Sequence, residues 1–553
     1  MSSRVVAAVV FVGVFVLHLL CLPQQGLTDD DDFYAPAGIR TASWLGDVFT
    51  TPSTALSQAG TDAAFTLNHE HPPFAKLVFG LSSALFHDGL GVLGALDGAR
   101  AGTALFAALL CASLILWLWG RAGPVTAVSS VVLLLSLPRF FFHSEVATLD
   151  VPVAAMIVVT TALFSWANER ATAARAVVVG VAFGLACLTK LNAPFLVLPC
   201  LVLVLAERWR GFDVVVDGRL PMLRFPVIPP ALWAMALVGP LVFVVGWPWL
   251  WHDTLARLGG YLAFHLRHYP IFLFYDGEIW NTPFAPARAV WEMAVITIPV
   301  VVVALGLLGG LSATVSLLRV TRGATDGRRA GGSPHDRVMA LALLQAVFAV
   351  GVVAVSDVPR YGGEKLFMPF FPFLCVLAGR GVVVVVDAVL DLLPPGAAWA
   401  RAVVVVVVLV AGALPGFVGT ARFFGGYALS YYGELTGGLR GAVARGHERT
   451  YYDVADKELA RFLDAHVAGR KVSFQPNHKE YVRTYRWLRK DGVLRRDGFK
   501  LVAGLRDADV VVLTHERRWS TYPALLEQVR GWPVLHEKRI DGVPLYTVFQ
   551  RPR

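Results

Sequence analysis

The sequence predicts a polytopic α-helical membrane protein with structured loops on one face and a C-terminal soluble α/β domain. Hydrophobic residues make up 56% of the 553 residues and charged residues only 16%, against roughly 25% charged residues in a typical soluble protein. The mean hydropathy is +0.59. A chain this apolar cannot bury its side chains in ordinary soluble cores, so the composition excludes a disordered chain, a fibrous chain and a soluble enzyme with one hydrophobic tail.

Long apolar runs define about eleven candidate spans, since roughly 20 apolar residues of helix cross a bilayer core. The pair at 174–189 and 192–206 is short, so each helix could be tilted or could end part-way through the membrane. Residues 74–86 are apolar but too few to span, which is typical of an interfacial helix. The predicted spans cover residues 5–22, 99–119, 125–142, 151–167, 174–189, 192–206, 227–249, 289–318, 338–355, 366–390 and 402–418.

Arginine placement predicts the orientation of these spans. Arg121, Arg170 and Arg175 follow predicted spans, and residues 319–337 hold five arginines. All of them lie on one side if the amino terminus is cytoplasmic, so we expect a multi-pass protein of the cytoplasmic (inner) membrane. The segments then expected on the outer, periplasmic side are residues 23–98, 143–150, 250–288, 356–365 and 419–553.

The basic charge lies in the tail. Of the net charge of +9, residues 419–553 carry 24 Lys+Arg minus 15 Asp+Glu, which is +9, and residues 1–418 carry 25 of each sign. The sequence therefore divides into a transmembrane domain (1–418, with an outer loop at 23–98) and a C-terminal extracytoplasmic domain, for which nucleic acid is not an expected partner. The tail predicts a helix at 451–465, strands at 471–474 and 508–513, a helical segment at 517–529 and a hairpin over 533–550 that turns at Asp541-Gly542.

The first cluster with chemical potential is the run of four aspartates at 29–32, directly after the first span. Adjacent carboxylates repel one another, which raises some of their pKa values unless cations or hydrogen-bond donors lie nearby. One of them could act as a general base toward a substrate hydroxyl. The alternative is a solvated acidic turn.

A second cluster, residues 68–73 (Asn-His-Glu-His-Pro-Pro), leads into an apolar segment. His69 and His71 could bind a metal or an anionic headgroup. No third ligand is evident, so a polar loop is the simpler interpretation. No cofactor is indicated with certainty, and a divalent cation is the one candidate.

Charged residues also stand at the mouths of later spans. Asp150 begins one span, where an acidic residue is favoured by the helix dipole in any case. Lys190 lies between two short spans, and a lysine embedded in apolar sequence is a functional candidate by default; the alternative is a lysine that extends to the interface. Aromatic and polar residues at 247–284, and the charged segment 357–365, complete a set that the predicted topology places on one face of the membrane.

The order of these motifs resembles the GT-C superfamily of membrane glycosyltransferases that use polyprenyl-phosphate sugars. Within it, the chain is similar to the bacterial protein O-mannosyltransferase and lipid A aminoarabinose transferase group, over about residues 1–450. Two departures stand out: Asp31 replaces a glutamate, and His71 replaces a lysine before the proline. The motifs that carry the resemblance are Asp-Asp-Asp-Phe-Tyr at 30–34, Glu-His-Pro-Pro at 70–73, Asp-Val-Pro at 150–152, Leu-Thr-Lys at 188–190, Tyr-Gly-Gly at 361–363 and Ser-Tyr-Tyr-Gly-Glu-Leu-Thr-Gly-Gly at 430–438.

The resemblance implies an inverting transfer of sugar from a lipid phosphate to a hydroxyl of a lipid, glycan or protein acceptor, within membrane lipid. Asp30 or Asp31 would activate the hydroxyl, and Asp150 would help to orient the reacting groups. The residues implied to hold the donor phosphate are Lys190, His71, Arg360 and Lys365. Those implied to line the substrate site are Tyr34, Glu70, His265, His268 and Tyr361.

Two other interpretations use the same sequence. A transporter or flippase for a lipid-linked or polar solute would place charged residues inside its spans and usually shows internal repeats; neither is evident. A non-catalytic scaffold would have the basic tail as its working part.

Overall fold

The structure is a computed structural model, and it describes residues 2–552 except 209–212, 218–219, 225–227, 268, 283, 324–331, 356–357, 395–397, 452–453, 493 and 496–497. It contains a helix bundle, a set of short elements at one end of that bundle, and a C-terminal sheet domain. The largest apolar core runs through all of them, joining side chains of the bundle such as Leu110 to side chains of the sheet such as Val512.

Each of the eleven predicted spans corresponds to a helix or to a pair of short helices. Within the described ranges, seven helices are long and apolar enough to cross a membrane: Ser3–Gln24, Ala95–Leu118, Asp150–Glu169, Val300–Arg322, Pro334–Ala354, Phe370–Leu390 and Trp399–Arg422. The chain is a multi-pass membrane protein, as predicted. The bundle helices are α1 (Ser3–Cys21), α6 (Ala95–Leu118), α7 (Pro124–Ser136), α8 (Pro138–His143), α9 (Asp150–Glu169), α10 (Ala173–Cys187), α11 (Val197–Arg208), α12 (Pro230–Val245), α14 (Arg288–Ile296), α15 (Val300–Gly323), α16 (Pro334–Ala354), α17 (Phe370–Leu390) and α18 (Ala398–Arg422).

Two predicted spans are broken by proline. The run 125–142 divides at Leu137 into α7 and α8, and the run 289–318 divides before Val300 into α14 and α15. Pro138 and Pro299 stand at these breaks. A proline has no N–H to donate and clashes with the preceding turn, so it begins a helix more readily than it continues one.

Short elements gather at one end of the bundle, which we call the loop face. The helix α2 packs along α5 because two glycines face each other; a Cβ on Gly80 would lie 2.0 Å from the carbonyl oxygen of Gly38. The predicted interfacial helix at 74–86 is α5, which is packed between α2 and α6 rather than lying free. The loop-face elements are β1 (Leu27–Thr28), α2 (Asp29–Thr50), α3 (Pro52–Ala55), α4 (Gln58–Phe65), α5 (Phe74–Ser83), α13 (Thr254–Leu266), β4 (Phe272–Tyr275) and β5 (Glu278–Asn281). A separate hairpin, β2 (Asp213–Asp217) with β3 (Leu220–Arg224), follows α11.

The C-terminal domain contains a five-stranded sheet in the order β10 (Val534–Ile540), β11 (Val543–Gln550), β9 (Val510–Thr514), β7 (Lys471–Gln475) and β8 (Lys500–Leu501). The strand β7 is parallel to both β8 and β9, and the remaining pairs are antiparallel. The predicted hairpin turns where expected, with Asp541 and Gly542 both in the left-handed region. The domain comprises α19 (Gly438–Ala444), β6 (Val454–Ala455), α20 (Lys457–His466), β7 (Lys471–Gln475), α21 (His478–Lys490), β8 (Lys500–Leu501), β9 (Val510–Thr514), α22 (Tyr522–Gln528), β10 (Val534–Ile540) and β11 (Val543–Gln550).

The predicted helix at 451–465 begins later than expected. Residues 454–455 form β6, which pairs with β1 of the first long loop. The helix begins after Asp456, whose side chain caps it by accepting from the backbone N–H of Glu458. The sequence pattern also missed α21 and β8, because α21 is polar on most of its surface and β8 has two residues.

Candidate active site

A cavity of about 160 Å³ lies at the loop face, between the membrane bundle and the C-terminal domain. It is bounded by carboxylates, by lysine and arginine, and by aromatic rings, which come from six separate stretches of the chain. Its lining residues are Asp29, Asp30, Phe33, Tyr34, Asn68, Glu70, His71, Phe264, Tyr269, Ile271, Tyr361, Gly362, Lys365, Tyr451 and Arg518.

The four aspartates form the first turn of α2, so helical geometry points them in different directions. Thr28 caps this helix in a capping box with Asp31, and acidic side chains are favoured at a helix N-terminus. Asp29 and Asp30 line the cavity. The Oδ2 atom of Asp30 lies 3.0 Å from the ammonium of Lys365. The acidic run is therefore a structured helix start rather than a solvated turn.

Asp31 faces the opposite way and lies outside the cavity. Its carboxylate is fully buried and accepts from Arg100 at 2.6 and 3.1 Å. It also accepts from the backbone N–H of Ala147 at 2.8 Å and from Thr28 at 3.0 Å. The Asp31 carboxylate therefore connects α2, α6 and the residues just before α9. It lies on the other side of α2 from the Asp30 carboxylate.

Asp32 contacts the C-terminal domain. It accepts from the indole N–H of Trp487 at 3.0 Å and pairs with Arg483 at 3.1 Å, both on α21. The Arg483 guanidinium also lies 4.5 Å above the ring of Phe33. One helical turn thus supplies the cavity, the bundle core and the domain interface.

The segment 68–71 is held against the cavity by a buried lysine. Lys76 Nζ donates to the carbonyl oxygens of Asn68 and His71 at 2.6 and 2.7 Å. Burial lowers the pKa of Lys76 to about 7, against a smaller opposing effect of Glu70. Asn68 donates to Glu70 Oε1 at 2.8 Å, so the Glu70 carboxylate is fixed where it lines the cavity.

His71 lines the cavity as a neutral imidazole. Burial, followed by the positive charges of Lys76 and its other neighbours, lowers the pKa of His71 well below 6.5. Its ring meets Tyr34 at 5.6 Å and His265 at 5.5 Å between centroids. Its Nδ1 atom is buried and has no hydrogen-bond partner among the described residues. Buried polar atoms are normally hydrogen-bonded, and a polar group of a substrate could be the partner of this one.

Two glycines bring Lys365 into the cavity wall. Gly362 and Gly363 have φ of +65° and +62°, and a Cβ on Gly362 would lie 2.7 Å from the Lys365 side chain. Burial opposes the charge of Lys365, but the carboxylates of Asp30 and Asp150 outweigh it and raise its pKa. The Tyr-Gly-Gly pattern therefore serves to fold a cation back onto Asp30.

Asp150 and Lys190 form a second ion pair behind the cavity lining, with Lys190 Nζ donating to Asp150. The pair belongs to the same electrostatic neighbourhood, because Lys190 contributes to lowering the pKa of His71. His143 lies between Asp150 and Glu364, with its Nδ1 3.9 Å from the first carboxylate and its Nε2 3.5 Å from the second.

The chain of charges continues from Glu364 to Arg139. Arg139 Nη1 lies 2.6 Å from Glu364, and its Nε donates to the carbonyl oxygen of Tyr431 at 2.9 Å. The Arg139 guanidinium also stands over the ring of Tyr432 at 4.7 Å. Residues 430–438, one of the motifs that carry the resemblance, therefore contact the bundle through Arg139 at the start of the C-terminal domain.

Arg360 has a different place from the one expected of a phosphate ligand. Its guanidinium is buried and donates to the backbone carbonyl oxygens of Val353 and Ala285, and to Val355. Because the last four carbonyls of a helix lack intrahelical donors, this arginine closes the end of α16. It lies outside the cavity lining.

The other predicted substrate-binding residues divide as follows. Tyr34 and Tyr361 line the cavity, and burial raises the pKa of Tyr361 to about 12, so its hydroxyl stays a donor. His265 lies behind His71 and donates from Nε2 to the carbonyl oxygen of Glu70 at 2.9 Å. His268 lies outside the described residues. The structure thus brings together Asp30, Tyr34, Glu70, His71, Tyr361 and Lys365, with Asp150 and Lys190 beside them.

The histidines at 69 and 71 do not converge on one point. His69 binds the carbonyl oxygen of Thr66 at 3.0 Å and its ring meets Trp249. In the part of the chain that the structure describes, no group of three or more His, Cys, Asp or Glu is placed to hold a metal ion.

Sequence reasoning missed several residues of the site. Arg100, Arg139 and Lys76 are buried cations in or beside apolar runs, and an embedded charge is the signal that could have found them. Tyr451 and Arg518 come from the C-terminal domain, and nothing local in the sequence links them to a cavity some hundreds of residues upstream.

With this geometry established, comparison with known proteins identifies one segment. Residues 70–223 match the model of the dolichyl-phosphate-mannose-protein mannosyltransferase family. The match covers Glu70, His71, Asp150 and Lys190, so the resemblance predicted from the ordered motifs is confirmed over this segment. No curated protein matches the chain.

Three solved structures are similar to the chain over nearly its whole length. ArnT from Cupriavidus metallidurans in the apo state is 16% identical, with a TM-score of 0.49 over 99% of this chain and 98% of that one. The same protein bound to undecaprenyl phosphate is 15% identical, with a TM-score of 0.47 over 98% of this chain and 97% of that one. The archaeal oligosaccharyltransferase AglB from Archaeoglobus fulgidus, in complex with an inhibitory peptide and a dolichol-phosphate, is 12% identical, with a TM-score of 0.47 over 97% of this chain and 74% of that one.

Proposed function

We propose that this protein is an inverting glycosyltransferase. It moves a sugar from a polyprenyl-phosphate donor to a hydroxyl, or another nucleophile, of a lipid, glycan or protein acceptor. The observation that carries the proposal is the pairing of the Asp30 carboxylate with the Lys365 ammonium in the cavity wall, 3.0 Å apart. A base for the acceptor and a cation for the leaving phosphate are the two groups that this reaction needs.

In this mechanism the donor phosphate competes for the lysines. Lys365 is paired with Asp30, and Lys190 with Asp150. A phosphate that enters beside them attracts both ammonium groups, because an ammonium is a compact point charge suited to phosphate. Drawing Lys365 away from Asp30 frees the carboxylate to act as a base, so donor binding itself prepares the acceptor site.

The transfer step then balances as a single displacement. The Asp30 carboxylate takes the proton of the acceptor hydroxyl, and the acceptor oxygen forms a bond to the anomeric carbon. The bond from that carbon to the phosphate oxygen breaks from the opposite side, so the configuration inverts. The electron pair leaves on the polyprenyl phosphate, whose added charge Lys190 and Lys365 stabilise; such electrostatic stabilisation is usually the largest catalytic contribution.

His71, Tyr34 and Tyr361 act as hydrogen-bonding groups in this account. His71 is neutral, so it offers one donor and one acceptor rather than a charge. The hydroxyls of the two tyrosines stay protonated, because burial raises both pKa values. These groups suit the hydroxyls of a sugar.

The finer location is part of the proposal. We place the loop face and the C-terminal domain on the outer, periplasmic side of the inner membrane, following the arginines of the opposite loops. We also keep the division into a membrane domain, 1–418, and a C-terminal domain, 419–553. It is supported by the sheet, whose five strands lie between Lys471 and Gln550, and by the last membrane helix, which ends at Arg422.

The test in cells is a comparison of glycans and lipids by mass spectrometry in a deletion strain. Complementation with the wild-type gene should restore one missing sugar, and Asp30→Asn should not restore it. Asp47→Asn is the matched control, because Asp47 is exposed on the same helix. Restoration by Asp30→Asn to the level of Asp47→Asn would refute the assignment of the base.

A further inference from the structure

The strand order of the C-terminal sheet reverses close to the cavity. From β7 the chain passes to β8 on one side and then to β9 on the other, both parallel to β7. The carboxyl ends of β7 and β9 therefore form a topological switch point, which is where open α/β sheets bind ligands. The two strand ends are joined directly, since Thr514 Oγ1 donates to the carbonyl oxygen of Gln475 at 3.1 Å.

The residues that follow β9 carry charge at this edge. His515 connects β9 to α22 and β11, because its Nδ1 lies 2.9 Å from the Tyr522 hydroxyl and its Nε2 lies 2.9 Å from the Thr547 hydroxyl. Arg517 stacks 4.4 Å over the ring of Phe274 on β4. The switch point is thus pressed against the loop-face hairpin, and the next residue, Arg518, reaches the cavity lining.

Arg518 is held in place by carboxylates that lie behind it. Its Nε and Nη2 atoms are 3.0 and 2.8 Å from Glu516 Oε2, and its backbone N–H donates to Glu448 at 2.8 Å. Glu516 and Glu448 are almost fully buried, and neither lines the cavity. Arg518 therefore belongs to the cavity lining, whereas the two carboxylates that hold it do not.

The charges of the other lining residues indicate what Arg518 could bind. The carboxylates of Asp29, Asp30 and Glu70 face the cavity, and its other cation, Lys365, is already paired with Asp30. The carboxylates that hold Arg518 lie outside this lining, so a phosphate or carboxylate that enters beside Lys365 gains a second positive charge from Arg518. A pre-positioned arginine is the side chain best suited to bind either group.

We propose that Arg518 binds an anionic group of a substrate, a phosphate or a carboxylate, and that the C-terminal domain thereby forms part of the substrate site. This inference rests on the proposed function, since it assigns a substrate contact of the same cavity. The anion has two sources, the donor's phosphate or an anionic group of the acceptor. The basic C-terminal domain then contributes a side chain that binds substrate to the lining of the active site.

The experiment measures binding of two probes to the purified full-length protein. One probe is a short-chain polyprenyl phosphate, and the other is inorganic phosphate, measured by protection against thermal unfolding. Arg518→Gln should weaken binding of one probe by about 10- to 100-fold, the range for losing a charge-assisted hydrogen bond. Arg530→Gln is the matched control, since Arg530 is exposed on the same domain and paired with Glu527.

The two probes separate the two sources. Weaker binding of the polyprenyl phosphate assigns Arg518 to the donor's phosphate. Unchanged polyprenyl phosphate binding with weaker inorganic phosphate binding assigns it to the acceptor's anion. Wild-type binding of both probes by Arg518→Gln overturns the inference.

A replacement variant and a separate readout keep the test decisive. If Arg518→Gln does not fold, Arg518→Lys replaces it, because a lysine retains the ion pair with Glu516 but lacks the planar guanidinium. Arg518→Lys must still weaken the binding of one probe by about threefold or more. Wild-type affinity of Arg518→Lys for both probes overturns the inference. A wild-type protein that binds inorganic phosphate through Arg518 but not polyprenyl phosphate would contradict the proposed function alone.

Discussion

At the scale of single residues, the four aspartates have three different environments. Asp30 meets Lys365 in the cavity, Asp31 is buried against Arg100, and Asp32 binds α21. The sequence could not choose between Asp30 and Asp31 as the base, because adjacent residues differ only in the direction that the helix gives them. The structure favours Asp30 by placing it alone of the two in the cavity lining.

This difference predicts opposite phenotypes for two conservative changes. Asp30→Asn should lower turnover by about 10²- to 10⁴-fold, the usual contribution of a general base, and should lower stability less than Asp31→Asn does, because the Asp30–Lys365 pair is partly accessible to solvent and the Asp31–Arg100 pair is not. Asp31→Asn should destabilise the protein by about 3–5 kcal/mol, because it leaves the buried Arg100 without its carboxylate. Turnover and unfolding are measured on the same detergent-purified samples, and a stable, inactive Asp31→Asn protein would contradict the assignment.

His71 gives a prediction for pH. The folded protein keeps His71 neutral, because burial lowers its pKa well below 6.5, whereas the unfolded chain takes up a proton near 6.5. The unfolded state then binds more protons below that pH, so stability falls as the pH is lowered through 6.5. This one group can contribute a slope of up to about 1.4 kcal/mol per pH unit.

The measurement compares unfolding free energies of the wild type and His71→Asn across this range. The variant lacks the titrating imidazole, so its stability should fall less steeply on acidification. Equal slopes would show that the pKa of His71 is the same in the folded and unfolded states, which would contradict a neutral, buried His71.

At the scale of elements, the contact between α2 and α5 sets the distance between the acidic turn and the segment 68–71. A Cβ on Gly38 would lie 2.3 Å from the carbonyl oxygen of Lys76, whereas one on Gly46 of the same helix would meet nothing within 4 Å. Gly38→Ala should therefore destabilise by about 1–3 kcal/mol through overpacking. Gly46→Ala should be neutral or stabilising by up to about 1 kcal/mol, since alanine favours a helix.

Thermal unfolding of the two glycine variants checks this pair, and turnover provides a second readout. Gly38→Ala should also reduce turnover, because α5 moves with Lys76 and with the segment that it holds. Similar behaviour of the two variants would mean that the close approach of α2 and α5 is not what fixes the cavity.

The helices and strands differ in how well the sequence alone predicts them. Apolar runs predicted the long helices, because their signal is local and continuous, and the turn at Asp541-Gly542 predicted the last hairpin. Proline breaks, the pairing of β1 with β6 and the polar helix α21 were not foreseen. Arg360 shows the same limit: its charge suggested an anion site, and its partners include carbonyl oxygens at the end of α16 and that of Ala285, which only the fold brings within reach.

At the scale of the whole molecule, the C-terminal domain is docked on the membrane part by polar contacts around the cavity. Asp32 meets Arg483 and Trp487, and Lys457 donates to the carbonyl oxygen of Pro23 at 2.9 Å. The sequence predicted the domain and its charge, but the contacts join residues more than 400 positions apart. No local pattern specifies such pairs.

The docking predicts a measurable coupling between Asp32 and Arg483. A double-mutant cycle with Asp32→Ala and Arg483→Ala should give a favourable interaction energy of about 0.5–1 kcal/mol, since the arginine is partly exposed and solvent screens the pair. The cycle is read from unfolding of the purified protein. Additive effects would contradict a direct contact between α2 and α21.

The central claim is that the loop-face cavity is the site of glycosyl transfer. The most direct measurement is the release of polyprenyl phosphate from a labelled polyprenyl-phosphate sugar in proteoliposomes supplied with a cell-envelope extract as the source of acceptor, in the wild type, Asp30→Asn, Lys365→Ala and Asp47→Asn. The account predicts release by the wild type and Asp47→Asn, and losses of about 10²-fold or more in the other two. Wild-type rates in both Asp30→Asn and Lys365→Ala would contradict it.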